Sequence, residues 1–325
     1  MKYRPIFSLL LLAILSSALT MCSTPQEGVI RTTELYAVKG SDSLYMDRYT
    51  YNANNSTELR PAIIFIFGGG FTGGDRCAEQ YEKFFDEMAT SGIDVISIDY
   101  RLGLRDATMA DFASPEGFAM KLVGTIRMAV EDLYSATAYT IGKSEQWGID
   151  PNKIIIAGSS AGAITALQGE YMRLNQDPLS EILGKEFRYA GVISCAGAIF
   201  ELGSELTWSD TPAPMLLFHG DADKNVPYGA MLLQGAGLFG SEYISNALKE
   251  LNTPHHFYSF AELDHVIAES PLKDNLDTIL NFIESYVTAD KQLIIRTHEH
   301  DVTLEPKNKE FSLEDYIQTN YMPKE

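Results

Sequence analysis

Two adjacent serines occur in the sequence IIIAGSSAG, residues 154–162, where an apolar run meets a pair of glycines. In the spacing Gly-x-Ser-x-Gly, only Ser160 is flanked by glycines, Gly158 and Gly162. A serine exposed on a sharp strand-to-helix turn needs small neighbours, because side chains crowd such a turn. The partial positive charge at the start of the following helix would also stabilise a developing alkoxide. We therefore predict that Ser160 is a nucleophile; the alternative is an ordinary helix cap.

A run of glycines, Phe67-Gly68-Gly69-Gly70-Phe71, ends another apolar stretch. Three consecutive glycines are costly in backbone entropy, so they indicate a tight turn or the close approach of another group. The backbone N–H groups of Gly69 and Gly70, with that of Ala161, are predicted to bind the anionic oxygen of a tetrahedral intermediate. The alternative interpretation is a flexible loop.

A serine nucleophile needs a base within hydrogen-bond distance, and the chain has six histidines. His255 and His256 open a predicted strand, which places them at the wrong end of a parallel sheet. His265 follows the same strand after a short loop and would reach the edge where such sheets place their chemistry. We predict His265 as the general base.

An acidic residue must orient the imidazole of the base and stabilise its cation. The segment HGDADKNVP, residues 219–227, offers Asp221 and Asp223 just past another predicted strand end. From position alone, either carboxylate could fill this role.

No metal site or cofactor is predicted. In His298-Glu299-His300-Asp301 the two histidines would share one face of an extended segment, but no third ligand is identifiable. Cys77 and Cys195 lack the spacing of metal ligands and do not indicate a disulfide framework.

Short apolar runs alternate with segments of helical periodicity after residue 60. The runs are 62–67, 94–99, 153–158, 191–196, 215–220 and 255–260, and the helical segments are 79–91, 120–141, 160–174, 243–251 and 272–287. This alternation predicts an α/β fold with a parallel sheet covered by helices on both faces. Residues 30–38 and 44–51 predict an antiparallel N-terminal hairpin at the sheet edge.

These motifs resemble those of the α/β-hydrolase carboxylesterases over roughly residues 60–288. The shared segments are FGGGF (67–71), IDYRL (98–102), GIDPNKIIIAGSSAGA (148–163) and HGDADKNVP (219–227). The likeness is to groups with an HGGG oxyanion loop, hormone-sensitive-lipase-like or feruloyl- and acetylxylan-esterase-like. Phe67 replaces the histidine of that loop, and Gly103 follows DYRL where the lipase-like group has Ala-Pro.

The resemblance implies the α/β-hydrolase fold, with a mostly parallel eight-stranded sheet, and a serine esterase without cofactors. The family's acid is the second aspartate of its loop motif, which implies a catalytic triad of Ser160, Asp223 and His265. Small-molecule or polysaccharide esters, the latter bearing acetyl or feruloyl groups, are the expected substrates. The alternatives are a serine peptidase of the prolyl-oligopeptidase type and a non-catalytic, lipid-anchored binding module with a hydrolase fold.

The formal net charge of −19 argues against a nucleic-acid partner, which needs a clustered basic surface. Residues 1–21 have basic residues before a short apolar stretch, which predicts a signal peptide. Leu19-Thr20-Met21-Cys22 resembles a bacterial lipobox, so we expect export, lipidation at Cys22 and anchoring in the cell envelope. Cleavage after Ala18 would instead release a soluble periplasmic or secreted protein.

The remaining chain is predicted to divide into a catalytic domain, residues 22–288, and a C-terminal extension, residues 289–325. Within the extension, residues 292–298 could add a strand and residues 312–321 a short helix. The sequence gives this extension no functional interpretation.

Overall fold

A mixed β-sheet forms the centre of the fold in the computed structural model, which describes residues 28–51, 58–108, 111, 114–233 and 235–321. The strands of the described residues are β1 (Val29–Lys39), β2 (Asp42–Tyr51), β3 (Arg60–Ile66), β4 (Asp94–Ile98), β5 (Ile149–Ser159), β6 (Gly191–Cys195), β7 (Ala198–Glu201), β8 (Met215–Gly220), β9 (Ala230–Leu233), β10 (Ala236–Gly240), β11 (His255–Phe260) and β12 (Ile294–Glu299).

The central sheet has nine strands in the order β1-β2-β4-β3-β5-β6-β8-β11-β12. β1 and β2 form the predicted antiparallel hairpin, β2 also runs antiparallel to β4, and every later pairing is parallel. The α/β architecture is therefore confirmed, but the predicted count of eight strands is one short. The ninth strand, β12, lies beyond the predicted catalytic domain, within the stretch where residues 292–298 predicted a strand, and it pairs with β11.

The helices of the described residues are α1 (Glu82–Thr90), α2 (Pro115–Trp147), α3 (Ala161–Leu174), α4 (Ser241–Glu250), α5 (Pro271–Asp274), α6 (Leu276–Phe282) and α7 (Leu313–Tyr321). Short 3-10 segments cover Glu79–Tyr81, Pro178–Leu183 and His265–Ala268, and a π-helical turn covers Ile283–Thr288. α2 and α3 pack together, and α1, α5 and α6 form a second packed group. Residues 62–66 of β3 are all fully buried, as expected for a strand covered on both faces.

Helix α2 is longer than the predicted helix over residues 120–141. Its start is set by Ser114, whose side chain accepts a hydrogen bond from the Gly117 N–H at 3.1 Å, and by a proline at the first helical position. Its end is set by Gly148, which has φ of 67°, a conformation that glycine adopts without strain. Capping residues therefore extend this helix beyond its apolar pattern.

A second, antiparallel sheet of three strands in the order β7-β10-β9 was not predicted from the sequence. Its strands are only four or five residues long and lie in stretches that read as loops. Gly237 pairs with Leu232 across a short hairpin and with Glu201 on β7, so β7 is the strand that depends on a partner distant in the chain.

The C-terminal segment, residues 300–321, crosses from β12 back over the carboxyl ends of the central strands. Helix α7 is fixed there by Tyr316, which is only 2% exposed and lies in ring contact with Phe118, at 5.8 Å between centroids. None of the helices in the described ranges is long and apolar enough to cross a membrane.

Candidate active site

Ser160 lies on the sharp turn between β5 and α3. Its φ is 51°, a left-handed conformation that costs energy for a residue with a side chain, and its N–H donates to the Cys195 carbonyl at 2.9 Å. A Cβ atom on Gly158 would lie 2.3 Å from the Gly162 carbonyl carbon, and one on Gly162 would lie 2.0 Å from the Ile66 oxygen. The two glycines of the motif are therefore required by the close approach of backbone segments.

His265 lies beside this serine. Its Nε2 is 2.8 Å from Ser160 Oγ, and its Nδ1 is 2.7 Å from Asp223 Oδ2. His265 is the first residue of the 3-10 turn that follows β11. Asp264 caps this turn, because its side chain accepts a hydrogen bond from the Val266 N–H at 3.2 Å. Ser160 is 7% exposed and the Asp223 side chain is fully buried, so the hydrogen-bond chain runs from the cavity surface into the interior.

Asp223 is held as a carboxylate. Its Oδ1 accepts backbone hydrogen bonds from Asn225 at 2.7 Å and Val226 at 3.0 Å. Burial alone would raise the pKa of Asp223, but the charge of His265 and hydrogen bonds from His219 and His265 hold it well below its ordinary value. The group is therefore ionised at neutral pH and can stabilise a positively charged imidazole.

The neighbouring groups of this loop have structural roles. His219 is fully buried, with Nδ1 2.8 Å from Ser241 Oγ and Nε2 3.4 Å from Asp223 Oδ2. Asp221 accepts from the Glu262 N–H at 2.7 Å and pairs with Lys309 at 2.9 Å. The geometry thus separates the two carboxylates that position alone could not, because only Asp223 contacts His265.

The glycine loop packs directly against the serine turn. Its first N–H, that of Gly68, donates to the Tyr81 hydroxyl at 3.1 Å and is therefore engaged. Gly69 and Gly70 follow with φ of 124° and 61°, and a Cβ on Gly69 would lie 2.3 Å from the Gly73 oxygen. Ala161 is the first residue of α3, where a helix offers its N–H no acceptor. Gly69, Gly70 and Ser160 thus line one cavity, and Ala161 directly follows the serine at the start of α3.

This cavity has a volume of about 430 Å³. It is lined by Gly68, Gly69, Gly70, Ser159, Ser160, Asn225, His265, Val266, Ala268, Glu269, Thr319 and Asn320. Two of these, Thr319 and Asn320, belong to α7, and sequence reasoning missed them. The only signal was the amphipathic pattern of SLEDYIQTNY, which predicts a helix but not where it packs.

The other polar candidates lie away from this site. His255 bonds to the Thr253 carbonyl and to Ser245, at 2.8 and 3.0 Å, and burial lowers its pKa. Within the described residues no group of three or more His, Cys, Asp or Glu side chains could hold a metal ion. Cys77 and Cys195 are free thiols. Cys22 and the predicted signal peptide lie outside the described residues.

Residues 18–169 match the carboxylesterase family. Among similar proteins, venom carboxylesterase-6 of Apis mellifera is 32% identical over 40% of this chain and 21% of its own length. Gut esterase 1 of Caenorhabditis elegans is 28% identical over 39% of this chain and 21% of its own. Fumonisin B1 esterase of Sphingopyxis macrogoltabida is 28% identical over 38% and 22%. The chain spans about a fifth of the length of these relatives.

Solved structures resemble a larger part of the chain. Esterase 2 of Thermogutta terrifontis is 19% identical, with a TM-score of 0.56 over 81% of this chain and 96% of that one. Its paraoxon-phosphorylated form has a TM-score of 0.56 at 20% identity, over 78% and 93%. With the strand order, these likenesses establish the α/β-hydrolase fold that the motifs predict. The family match covers the glycine loop and Ser160, and it ends before Asp223 and His265.

Proposed function

We propose that the protein is a serine carboxylesterase that hydrolyses carboxylic esters through an acyl-enzyme. The observation that carries this proposal is the continuous hydrogen-bond chain from Ser160 through His265 to Asp223, at 2.8 and 2.7 Å. The likeness of residues 18–169 to the carboxylesterase family and the fold support it.

In the acylation half-reaction, His265 Nε2 takes the proton of Ser160 as Oγ attacks the ester carbonyl carbon. The carbonyl oxygen becomes an anion and accepts hydrogen bonds from the N–H groups of Gly69, Gly70 and Ala161. The intermediate then collapses, the bond to the alcohol oxygen breaks, and His265 gives its proton to that oxygen. Throughout, Asp223 stabilises the imidazolium.

Deacylation repeats these proton transfers with water in place of the serine. His265 removes a proton from the water as its oxygen attacks the acyl carbon. The second intermediate releases Ser160, which recovers its proton from His265, and the carboxylic acid leaves. His265 is therefore the acceptor or donor in every proton transfer, and its Nε2 lies within hydrogen-bond distance of Ser160 Oγ.

For the substrate, we propose acetyl or feruloyl esters of polysaccharides. A cavity of about 430 Å³ lies within the range for small-molecule sites. The expected export of the protein, with a lipid anchor at Cys22, would place it where such polymers occur. Mass spectrometry of the mature N-terminus tests this last point, since a diacylglyceryl cysteine or cleavage after Ala18 gives distinct masses.

The direct test compares the purified protein with its Ser160→Ala variant on p-nitrophenyl acetate, butyrate and octanoate. We expect kcat to fall by about 10⁴-fold or more, as in other triad knockouts. The matched variant Ser159→Ala is expected to cost far less, because Ser159 Oγ bonds to Tyr81 rather than to His265. Equal activity of the protein and its Ser160→Ala variant would refute the mechanism.

The same protein separates the esterase from its alternatives. A fluorophosphonate probe should label Ser160 covalently, whereas a non-catalytic binding module would stay unlabelled. Cleavage of peptides in the absence of ester turnover would favour the peptidase instead.

A further inference from the structure

We propose that Asn225, Asn320 and Glu269 form a subsite for the alcohol half of the ester, which selects uncharged alcohols that carry free hydroxyl groups, such as a sugar or polyol. This inference rests on the proposed esterase function, because it assigns the second half of the same cavity. It also gives the C-terminal segment a role in substrate selection.

The first step concerns how helix α7 is held at the cavity. Asn320 Nδ2 donates to the Asn225 carbonyl at 2.8 Å and to the Tyr316 carbonyl at 2.9 Å, which uses both of its hydrogens. Thr319 Oγ1 donates to the Lys224 carbonyl at 2.8 Å. Helix α7 is thus bonded to the same loop that carries Asp223.

The opposite side of α7 lies against the glycine loop. A Cβ on Gly70 would lie 3.8 Å from Tyr321 Cε1, an ordinary van der Waals distance. The ring of Tyr321 in turn packs on Tyr316 and Phe118, with centroids 5.9 and 5.8 Å away. Helix α7 therefore bridges the oxyanion loop and the acid loop and forms a fixed wall of the cavity.

Asn225 has hydrogen-bonding capacity that the protein leaves unused. One hydrogen of its Nδ2 is donated to Asn320 Oδ1 at 3.3 Å. An amide side chain has a second hydrogen and a carbonyl acceptor, and neither has a partner in the part of the chain that the structure describes. Since Asn225 lines the cavity, a substrate hydroxyl can fill both positions, donating to the amide oxygen and accepting from the nitrogen.

The need to protonate the leaving alcohol determines which half of the ester contacts Asn225 and Glu269. His265 must protonate the leaving oxygen, so the alcohol half lies within hydrogen-bond reach of Nε2. Two polar residues line the cavity together with His265: Asn225, on the loop that carries Asp223, and Glu269, at the end of the 3-10 turn that begins at His265. Glu269 is 46% exposed in its side chain, and Lys273 is 4.0 Å away. A carboxylate there accepts hydroxyl hydrogens and disfavours an anionic alcohol.

The test uses two acetates that differ only in the alcohol, hexyl acetate and methyl 6-O-acetylglucopyranoside. The measured quantity is the ratio of kcat/KM for the sugar acetate to that for the hexyl acetate. We expect a ratio well above one for the protein and a fall of about tenfold for Asn225→Ala, the loss of one or two hydrogen bonds to substrate. Asn225→Ala keeps the backbone carbonyl that binds Asn320.

Two further variants keep the test decisive. Glu269→Gln changes an exposed side chain without threatening the fold, and we expect the ratio to fall for it as well. Asn246→Ala is the matched control, because this asparagine on α4 binds Arg296 outside the cavity, and both rates should be unchanged.

The outcomes separate the subsite from the esterase itself. A ratio near one for the protein, or one that neither variant changes, overturns the subsite while hydrolysis that depends on Ser160 leaves the proposed function intact. Failure to hydrolyse either acetate overturns both proposals. A fall in the ratio for both Asn225→Ala and Glu269→Gln supports the subsite.

Discussion

Around Ser160 the chain is positioned chiefly by close contacts between backbone atoms, whereas around Asp223 and His265 backbone contacts such as that of Gly220 with Leu263 are supplemented by ion pairs and side-chain hydrogen bonds. In the region of the proposed nucleophile (the nucleophile region), residues 66–70 and 158–162, glycines let two chain segments meet at distances that a Cβ would not allow. In the acid–base region, residues 219–226 and 260–269, ion pairs and side-chain hydrogen bonds hold two loops to each other and to the C-terminal segment. Substitutions at the glycines of the first region should therefore be strongly destabilising. Many substitutions in the second region should cost little stability, except at the proposed reacting groups.

The largest effect should come from Asp223→Asn, in the acid–base region. The asparagine has nearly the same shape but lacks the charge that stabilises the His265 imidazolium, so we expect kcat to fall by about 10⁴-fold. The comparison variant is Asp221→Asn, which keeps its contact with the Glu262 N–H and does not touch His265. Ester turnover by purified proteins measures both, and equal losses would mean that the two aspartates do not divide their roles as described.

In the nucleophile region, Gly162→Ala should destabilise the protein by about 3 kcal/mol. Its Cβ would lie 2.0 Å from the Ile66 oxygen, and overpacking against backbone cannot be relieved by a rotamer change. Gly124→Ala on α2 is the matched control, because its Cβ would meet nothing within 4 Å and alanine favours a helix by about 0.5–1 kcal/mol. Urea unfolding of both variants measures the difference; a stable Gly162→Ala protein would contradict the steric argument.

Acidification should reveal how much the buried carboxylate of Asp223 contributes to stability. Because the folded-state pKa of Asp223 lies below its ordinary value of about 3.9, its contribution to stability is present above that pH and is lost as pH falls toward the folded-state value. The free energy of unfolding should therefore drop more steeply below pH about 4 for the protein than for Asp223→Asn. Urea titrations at pH 5 and pH 3 test this, and parallel losses would show that other carboxylates dominate.

The smallest effect should come from Lys309→Ala in the C-terminal segment. Lys309 pairs with Asp221 at 2.9 Å and Glu262 at 2.6 Å, but its side chain is 42% exposed, and exposed ion pairs contribute about 0–1 kcal/mol. We expect the Tm to fall by about 3 °C or less in low salt and by less still in 0.5 M salt, where such pairs are screened. A loss that salt does not reduce would indicate that Lys309 acts by packing.

Local patterns carried the sequence prediction as far as the strands, most helices and the residues at strand ends. Gly158, Ser160 and Gly162 lie within five consecutive residues, and His265 follows β11 after a short loop, so short-range rules could locate them. The pairing of β7 with β10 joins distant segments, which a single sequence does not encode in any local period. Residues 292–298 predicted a strand, but not the pairing of β12 with β11.

The cavity wall formed by helix α7 is the clearest example of a contact that local sequence patterns do not predict. Thr319 and Asn320 bond to residues 95 positions earlier in the chain, and their own sequence pattern specifies only a helix. The choice between Asp221 and Asp223 likewise needed tertiary geometry, because both follow the same strand and only one faces the imidazole.

The position of helix α7 has a consequence for the order in which the protein is made. The ribosome synthesises the glycine loop and Ser160 first and Thr319 and Asn320 only some 160 residues after the serine. A nascent chain therefore holds its nucleophile long before the cavity around it has its last wall. The selectivity that this wall confers arrives only once helix α7 has been synthesised and packed.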